Sequence, residues 1–92
     1  MLSVAYSARF KKDLKREFRD SHNKSLGVEL ALFLQFLTDG APLPQRFHEH
    51  QLAGDYRGHF EAHLRPDLLI IYKMDLEFGI ILIRLGSHSD LF

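Results

Sequence analysis

The feature that most constrains this chain is a change in its hydrophobic period at Ala41-Pro42-Leu43-Pro44. Two prolines so close together cannot continue a helix, so the segment divides the sequence. Before it, Leu26, Leu30, Phe33, Leu34 and Leu37 recur at helical spacing. They predict a helix over about 24–39, ended by Gly40 as the residue after its cap. An earlier helix is expected over about 8–20, with Ser7 as N-cap and Phe10, Leu14 and Phe18 as its apolar stripe. A break at Ser21-His22-Asn23 separates the two, and residues 2–6 read as a short first strand. After the prolines an extended loop runs to about 52, and the period becomes two. Tyr56, Gly58, Phe60, Ala62 and Leu64 then share one face, and Arg57, His59, Glu61 and His63 the other. Arg65-Pro66-Asp67-Leu68 reads as a tight turn. The apolar run 69–72 suits a strand covered on both sides, 75–77 turns the chain again, and 78–83 forms the last strand. Residues 86–92 are expected as a short polar tail with an aromatic end. The order βααβββ predicts an α+β fold, an antiparallel meander with both helices packed against one face.

With 92 residues, 46% of them apolar, one domain spanning 1–92 is expected, without repeats or low-complexity segments. A domain this small buries only about two-thirds of its unfolded surface. The chain has no cysteine, so its stability must come from packing, and zinc sites built on thiolates are excluded. Its N-terminus does not read as a signal peptide, and no apolar run approaches the roughly 20 residues of a membrane helix. A soluble cytoplasmic protein without a membrane partner is the expectation. Net charge is zero but unevenly spread: residues 1–24 carry seven basic and three acidic groups. Lys11, Lys12, Lys15 and Arg16 lie mostly opposite the apolar stripe of the first helix, and such a local field can attract nucleic acid. A solvated helix face is the plainer alternative.

Five of the six histidines fall in the second half, at 48, 50, 59, 63 and 88. A meander can bring His50, His63, Asp67 and His88 to one end of the sheet, with Arg57 or Arg84 nearby. Each has a duller role open to it: Asp67 as a turn residue, His63 as an exposed strand residue, His88 as a turn cap, Phe92 as a terminal staple. Tyr72 is expected to pack. His48-Glu49-His50 does not have a familiar metal-ligand spacing, so neither metal nor cofactor is expected.

Three segments occur together: His50-x-Leu52-x-Gly54-x-x-x-Gly58, His63-x-x-Pro66-Asp67-x-Leu69-x-x-Tyr72, and Gly86-x-His88-x-x-Leu91-Phe92. In this order and spacing they resemble the YafQ-type branch of the RelE toxin superfamily over roughly residues 43–92. The helical half agrees in pattern only, and Leu68 stands where some members carry Trp. The resemblance implies a microbial-RNase fold, ribosome-dependent cleavage of mRNA in the A site, and silencing by a co-expressed antitoxin. It also implies His50, His63, Asp67 and His88 as catalytic residues and Phe92 as an aromatic that contacts RNA.

Those residue types suit metal-free RNA cleavage. The ribose 2′-OH is an internal nucleophile, so neither a serine nor a cysteine is needed. A carboxylate or neutral imidazole removes its proton, and an imidazolium protonates the leaving 5′-oxygen. Asp67 or His50 is expected as base, His88 as acid and His63 as phosphate stabiliser, with Arg57 and Arg84 as candidate clamps. The rival readings are a ParE-type toxin that binds DNA gyrase, a histidine-cluster metal hydrolase, and a non-enzymatic interaction domain.

Overall fold

The computed structural model describes residues 2–20 and 24–92, so the expected break at Ser21-His22-Asn23 lies outside the described residues. Strand β1 (Val4–Tyr6) leads into helix α1 (Ala8–Arg19), followed by α2 (Leu26–Thr38). A 3₁₀ turn at Gln45–Phe47, strand β2 (His50–Gln51) and a second 3₁₀ turn at Gly54–Tyr56 carry the chain to three longer strands. These are β3 (Phe60–Arg65), β4 (Leu68–Asp75) and β5 (Gly79–Gly86), and a short helix α3 (His88–Leu91) closes the order. The sheet runs β1-β5-β4-β3-β2. Strands β3 to β5 pair antiparallel as expected; β2, in a segment read as extended loop, adds antiparallel to β3, and β1 pairs parallel with β5. The α1–α2 excursion and the meander return β5 beside β1 in the same direction, which a hydrophobic pattern alone does not reveal.

Apolar periodicity explains the main core. Phe10 from α1, and Leu26, Leu30, Phe33 and Leu37 from α2, pack on Leu68, Ile70, Tyr72, Ile80, Leu82 and Leu85 of the sheet. The helices therefore cover one face. Phe18 departs from its predicted stripe and is 54% exposed, because α1 lies along the β5 edge and its last turn passes beyond the sheet's apolar surface. Strand β4 is buried from Leu68 to Tyr72, as a doubly covered strand should be. Leu68 belongs to the helix-side core. On the opposite face, Leu69, Ile71 and Leu91 make a smaller cluster with Leu52, Tyr56 and Ile83. Tyr56 thus lies across the sheet from Phe60, Ala62 and Leu64, with which period-two alternation grouped it. Gly58 at φ +87° turns the chain between Tyr56 and the strand and resets the alternation.

Beyond β1, the outer edge of β5 is closed by side chains of α1. Ser7 caps α1 by accepting from the Phe10 N–H at 2.9 Å, and its hydroxyl donates to the Ile83 carbonyl at 2.8 Å. The Asp13 carboxylate accepts from the Leu85 N–H at 2.9 Å, and Arg16 donates to the Leu85 carbonyl at 2.8 Å. An open edge with unpaired amides invites pairing with another chain; here α1 supplies the partners. The tail after β5 is helical, not a plain polar extension: Ser87 and Asp90 form a reciprocal capping box that starts α3. Leu91, rather than Phe92, is the buried staple.

Candidate active site

The sheet face opposite α1 and α2 carries the histidines. Odd-numbered residues of β3 point to it, so Glu61 and His63 stand beside the Leu69–Ile71 cluster. Antiparallel pairing puts His50 directly opposite Glu61. The β3–β4 turn offers Asp67, and the capping box at Ser87 aims the first residue of α3, His88, at that turn. Asp67 Oδ1 accepts from the His88 backbone N–H at 3.2 Å and lies 3.3 Å from its Nδ1. Four expected residues, His50, His63, Asp67 and His88, are thereby brought to one end of one face.

Glu61 ties two of them together and is the residue that sequence reasoning passed over. It is 4% exposed, and its Oε1 lies 3.3 Å from His50 Nε2 and 3.5 Å from His63 Nε2. Its signal was present: a carboxylate two residues before a histidine in a strand of period two must share that histidine's face. His50 Nδ1 lies 3.0 Å from the His48 carbonyl. A carbonyl only accepts, so Nδ1 is the donor in that contact, while Nε2 faces the Glu61 carboxylate. The same logic applied to His88, whose Nδ1 faces the Asp67 carboxylate, leaves its Nε2 turned away from that partner. The Asp67 carboxyl is held below the usual aspartate range, first by the His88 backbone N–H, then by the His88 side chain. Asp67 is therefore ionised at neutral pH and accepts from the His88 backbone and ring.

The rings form a continuous row. His48 to His63 is 5.5 Å between centroids, His63 to His88 is 5.9 Å, and His88 to Phe92 is 6.4 Å. Phe92 continues to Tyr56 at 5.9 Å, and Tyr56 to His59 at 5.8 Å. Phe92 is 61% exposed, so its ring remains available for stacking. Arg57 is exposed beside Tyr56. Tyr72 is 1% exposed and packs between Phe33 and Phe60, its hydroxyl donating to Glu49. Burial raises the Glu49 carboxyl above its ordinary value.

Two expected RNA-contacting residues are engaged within the fold. Arg84 is spent internally: its Nε donates to Asp13 at 2.8 Å and its side chain is 13% exposed. Arg16 pairs with Asp13 at 3.0 Å and with Glu17 at 3.2 Å, besides binding the Leu85 carbonyl. Both hold α1 on β5, because the exposed carbonyl and amide of that edge need charged partners. Lys11, Lys12 and Lys15 are exposed on α1. Among the described residues, no group of three or more His, Asp or Glu side chains is arranged to hold a metal ion, and no helix is long and apolar enough to cross a membrane.

A two-helix layer on an antiparallel-dominated sheet is the fold of the small YafQ- and RelE-like bacterial toxins. Solved structures carry the same fold over its full length. A metal-bound toxin from Helicobacter pylori is 34% identical with a TM-score of 0.87, covering 100% of both chains. The Escherichia coli DinJ–YafQ complex contains a chain 29% identical with a TM-score of 0.83, covering 100% of this chain and 99% of that one. The mRNA interferase toxin YafQ of Escherichia coli K12 is 30% identical over 92 residues, covering 97% of this chain and 94% of the relative. The chain belongs to the YafQ family of bacterial toxins of type II toxin–antitoxin systems, whose profile matches residues 2–92.

Proposed function

We propose that this chain is the toxin of a type II toxin–antitoxin pair and cuts translated mRNA in the ribosomal A site, acting in the cytoplasm as one domain. Its partners are mRNA, the ribosome with its rRNA, and a cognate antitoxin that silences it. The observation that carries the reading is the order of the rings: His63 stands between His48–His50 on one side and His88 on the other. In-line cleavage needs base and acid at opposite ends of the phosphate, and this order supplies them.

His50 takes the proton of the 2′-OH, which attacks the phosphorus and forms the new P–O bond as the bond to the 5′-oxygen breaks. Glu61, 3.3 Å from His50 Nε2, stabilises the imidazolium electrostatically as it forms. His63 stabilises charge on the phosphorane oxygens. His88, oriented by Asp67, gives its proton to the departing 5′-oxygen. Phe92 stacks on RNA, and Arg57 is placed to meet a phosphate beyond it. A neutral chain has little field to concentrate RNA unaided, so the ribosome supplies positioning. The gyrase-binding alternative has no use for this cluster.

Products with a 2′,3′-cyclic phosphate and a 5′-hydroxyl are expected, together with loss of cutting at a 2′-deoxy ribose. Cleavage should persist under chelation that leaves ribosomes intact. A 5′-phosphate product would overturn the mechanism and favour a metal-dependent hydrolase.

A further inference from the structure

Strand β2 pairs with β3 only at Phe60 and Glu61, so β3 has no strand partner on that side from Ala62 to Arg65. A groove of about 650 Å³ opens there, between α2, the 45–47 turn and β3. That volume is within the roughly 300–1,000 Å³ of small-ligand sites. Leu32, Phe47, Leu64 and Pro66 make its walls apolar, while Arg46, His48 and His63 line its polar side. His63 belongs to the catalytic cluster as well, so groove and cluster are one continuous surface. His48 holds a left-handed backbone, φ 49° and ψ 44°. Few residues other than glycine adopt that conformation, and histidine is among those that tolerate it. The turn that imposes it sets the His48 ring against His63, and the bond from His50 Nδ1 fixes the His48 carbonyl.

We propose that this groove is the subsite for the nucleobase of the attacking nucleotide, on the 5′ side of the cut, with His48 as its stacking wall and Arg46 at its mouth. The proposal rests on the RNA-cleavage reading and on its direction. The ribose that gives up its 2′-OH proton must lie on the His50 side, and that is the side on which the groove opens. The 3′ side then falls to Phe92 and Tyr56. Single-stranded RNA is recognised by bases splayed onto aromatic planes, and a flat apolar slot with a ring on one wall has that chemistry. Arg46, its guanidinium 4.8 Å from the Phe47 ring centre, adds a positive charge suited to a backbone phosphate.

The test combines cleavage with direct binding. His48→Asn keeps a residue suited to positive φ but removes the ring, and His48→Phe restores a ring without a titratable nitrogen. Leu32→Glu puts a negative charge in the groove, and Val28→Glu puts the same charge one turn away on α2, outside it. On ribosomes programmed with mRNAs varied around the cut, His48→Asn should lose roughly five- to a hundred-fold in kcat/KM, as stacking contributions imply. The loss should appear mainly in KM. Base preference should flatten 5′ of the cut and persist 3′ of it, with an unchanged pH profile. His48→Phe should recover most of the activity, Leu32→Glu should behave like His48→Asn, and Val28→Glu like the parent. A short RNA carrying 2′-deoxy at the cut should shift the NMR signals of His48 and Leu32.

Unchanged kcat/KM and base preference in folded His48→Asn and Leu32→Glu would overturn the subsite and leave the nuclease reading intact. So would Leu32→Glu weakening antitoxin binding alone, which would make the groove a protein-docking surface. A parent protein that never cuts, yet shows the RNA-induced shifts at His48 and Leu32, would overturn the nuclease reading and support the groove as an RNA site.

Discussion

Replacing Asp13 tests whether α1 is fastened to the sheet by one carboxylate. Asp13 is 4% exposed and accepts from the Leu85 N–H, from Arg84 Nε and from Arg16. Asp13→Ala removes the partner of a buried amide, which costs about 1–3 kcal/mol. It also strips the carboxylate from Arg84, and breaking a buried pair costs about 3–5 kcal/mol in all. Arg16 is 44% exposed and contributes at most about 1 kcal/mol. The expected loss is therefore about 3–5 kcal/mol, a large share of the roughly 5–15 kcal/mol that holds a small domain. Asp13→Asn keeps an acceptor for Leu85 and should cost about 1–3 kcal/mol. Urea unfolding measures both as midpoint shifts at constant slope. An Asp13→Ala loss under about 1 kcal/mol would refute the fastening argument. The pH dependence is a second check. Burial pushes the Asp13 carboxyl up, but the Arg84 and Leu85 hydrogen bonds and the charges of Arg84 and Arg16 outweigh it and hold the group below its ordinary 3.8. A depressed carboxyl stabilises the fold above the unfolded value and loses that contribution as pH falls through the folded one. The gap between parent and Asp13→Asn should therefore hold at neutral pH and close only below about 3.8.

His88→Ala should abolish growth arrest on expression without antitoxin while leaving the unfolding midpoint within about 1 kcal/mol, because its side chain is exposed; equal toxicity from a folded variant would remove it as the acid. Glu49→Gln should make the fold relatively more stable as pH rises above 4.5, since burial raises this carboxyl and a raised acid loses stability on ionising; parallel pH–stability curves would refute this. Gly79→Ala should destabilise by about 1–3 kcal/mol in a melt, because its Cβ would meet the Ser3 carbonyl at 2.5 Å and its φ is +80°. Reversing charge at Lys11, Lys12 and Lys15 together should weaken ribosome and antitoxin binding at low salt; unchanged affinity for both would make these lysines a solvated face only.

The two helices, the buried β4 and the three-strand meander were legible because apolar period reports which face is covered. Ser7 as N-cap and Gly40 as helix terminator were legible for local reasons, a side-chain acceptor and a φ of +71°. What the pattern could not carry was long-range partnership. The parallel β1–β5 pairing joins residues some 76 positions apart, and only the completed sheet decides it. The internal contacts of Arg16 and Arg84 were hidden for the same reason. A charge that looks free along a helix or strand is committed once Asp13 and the edge of β5 arrive beside it. The catalytic candidates were named by resemblance to a family pattern, whereas Glu61 was hidden by its chemistry: an acid in a strand reads as solvent-facing until two histidines are placed around it.

That reassignment of the arginines changes where the positive charge is. Lys11, Lys12 and Lys15 project from the helix layer, while the histidine row occupies the opposite face of the sheet. The basic stripe and the histidine row are therefore two separate surfaces, and under the proposed mechanism they have separate tasks. Long-range attraction to a phosphate-rich partner falls steeply with salt, whereas stacking along the ring row and proton transfer at close contact do not depend on a distant field. On this layout, raising salt should weaken the encounter with the ribosome before it slows the cut once the mRNA is seated. Under the proposed mechanism a chain of zero net charge can act on RNA, because the open face relies on ordered rings, imidazoles and one buried carboxylate and not on a surplus of cations.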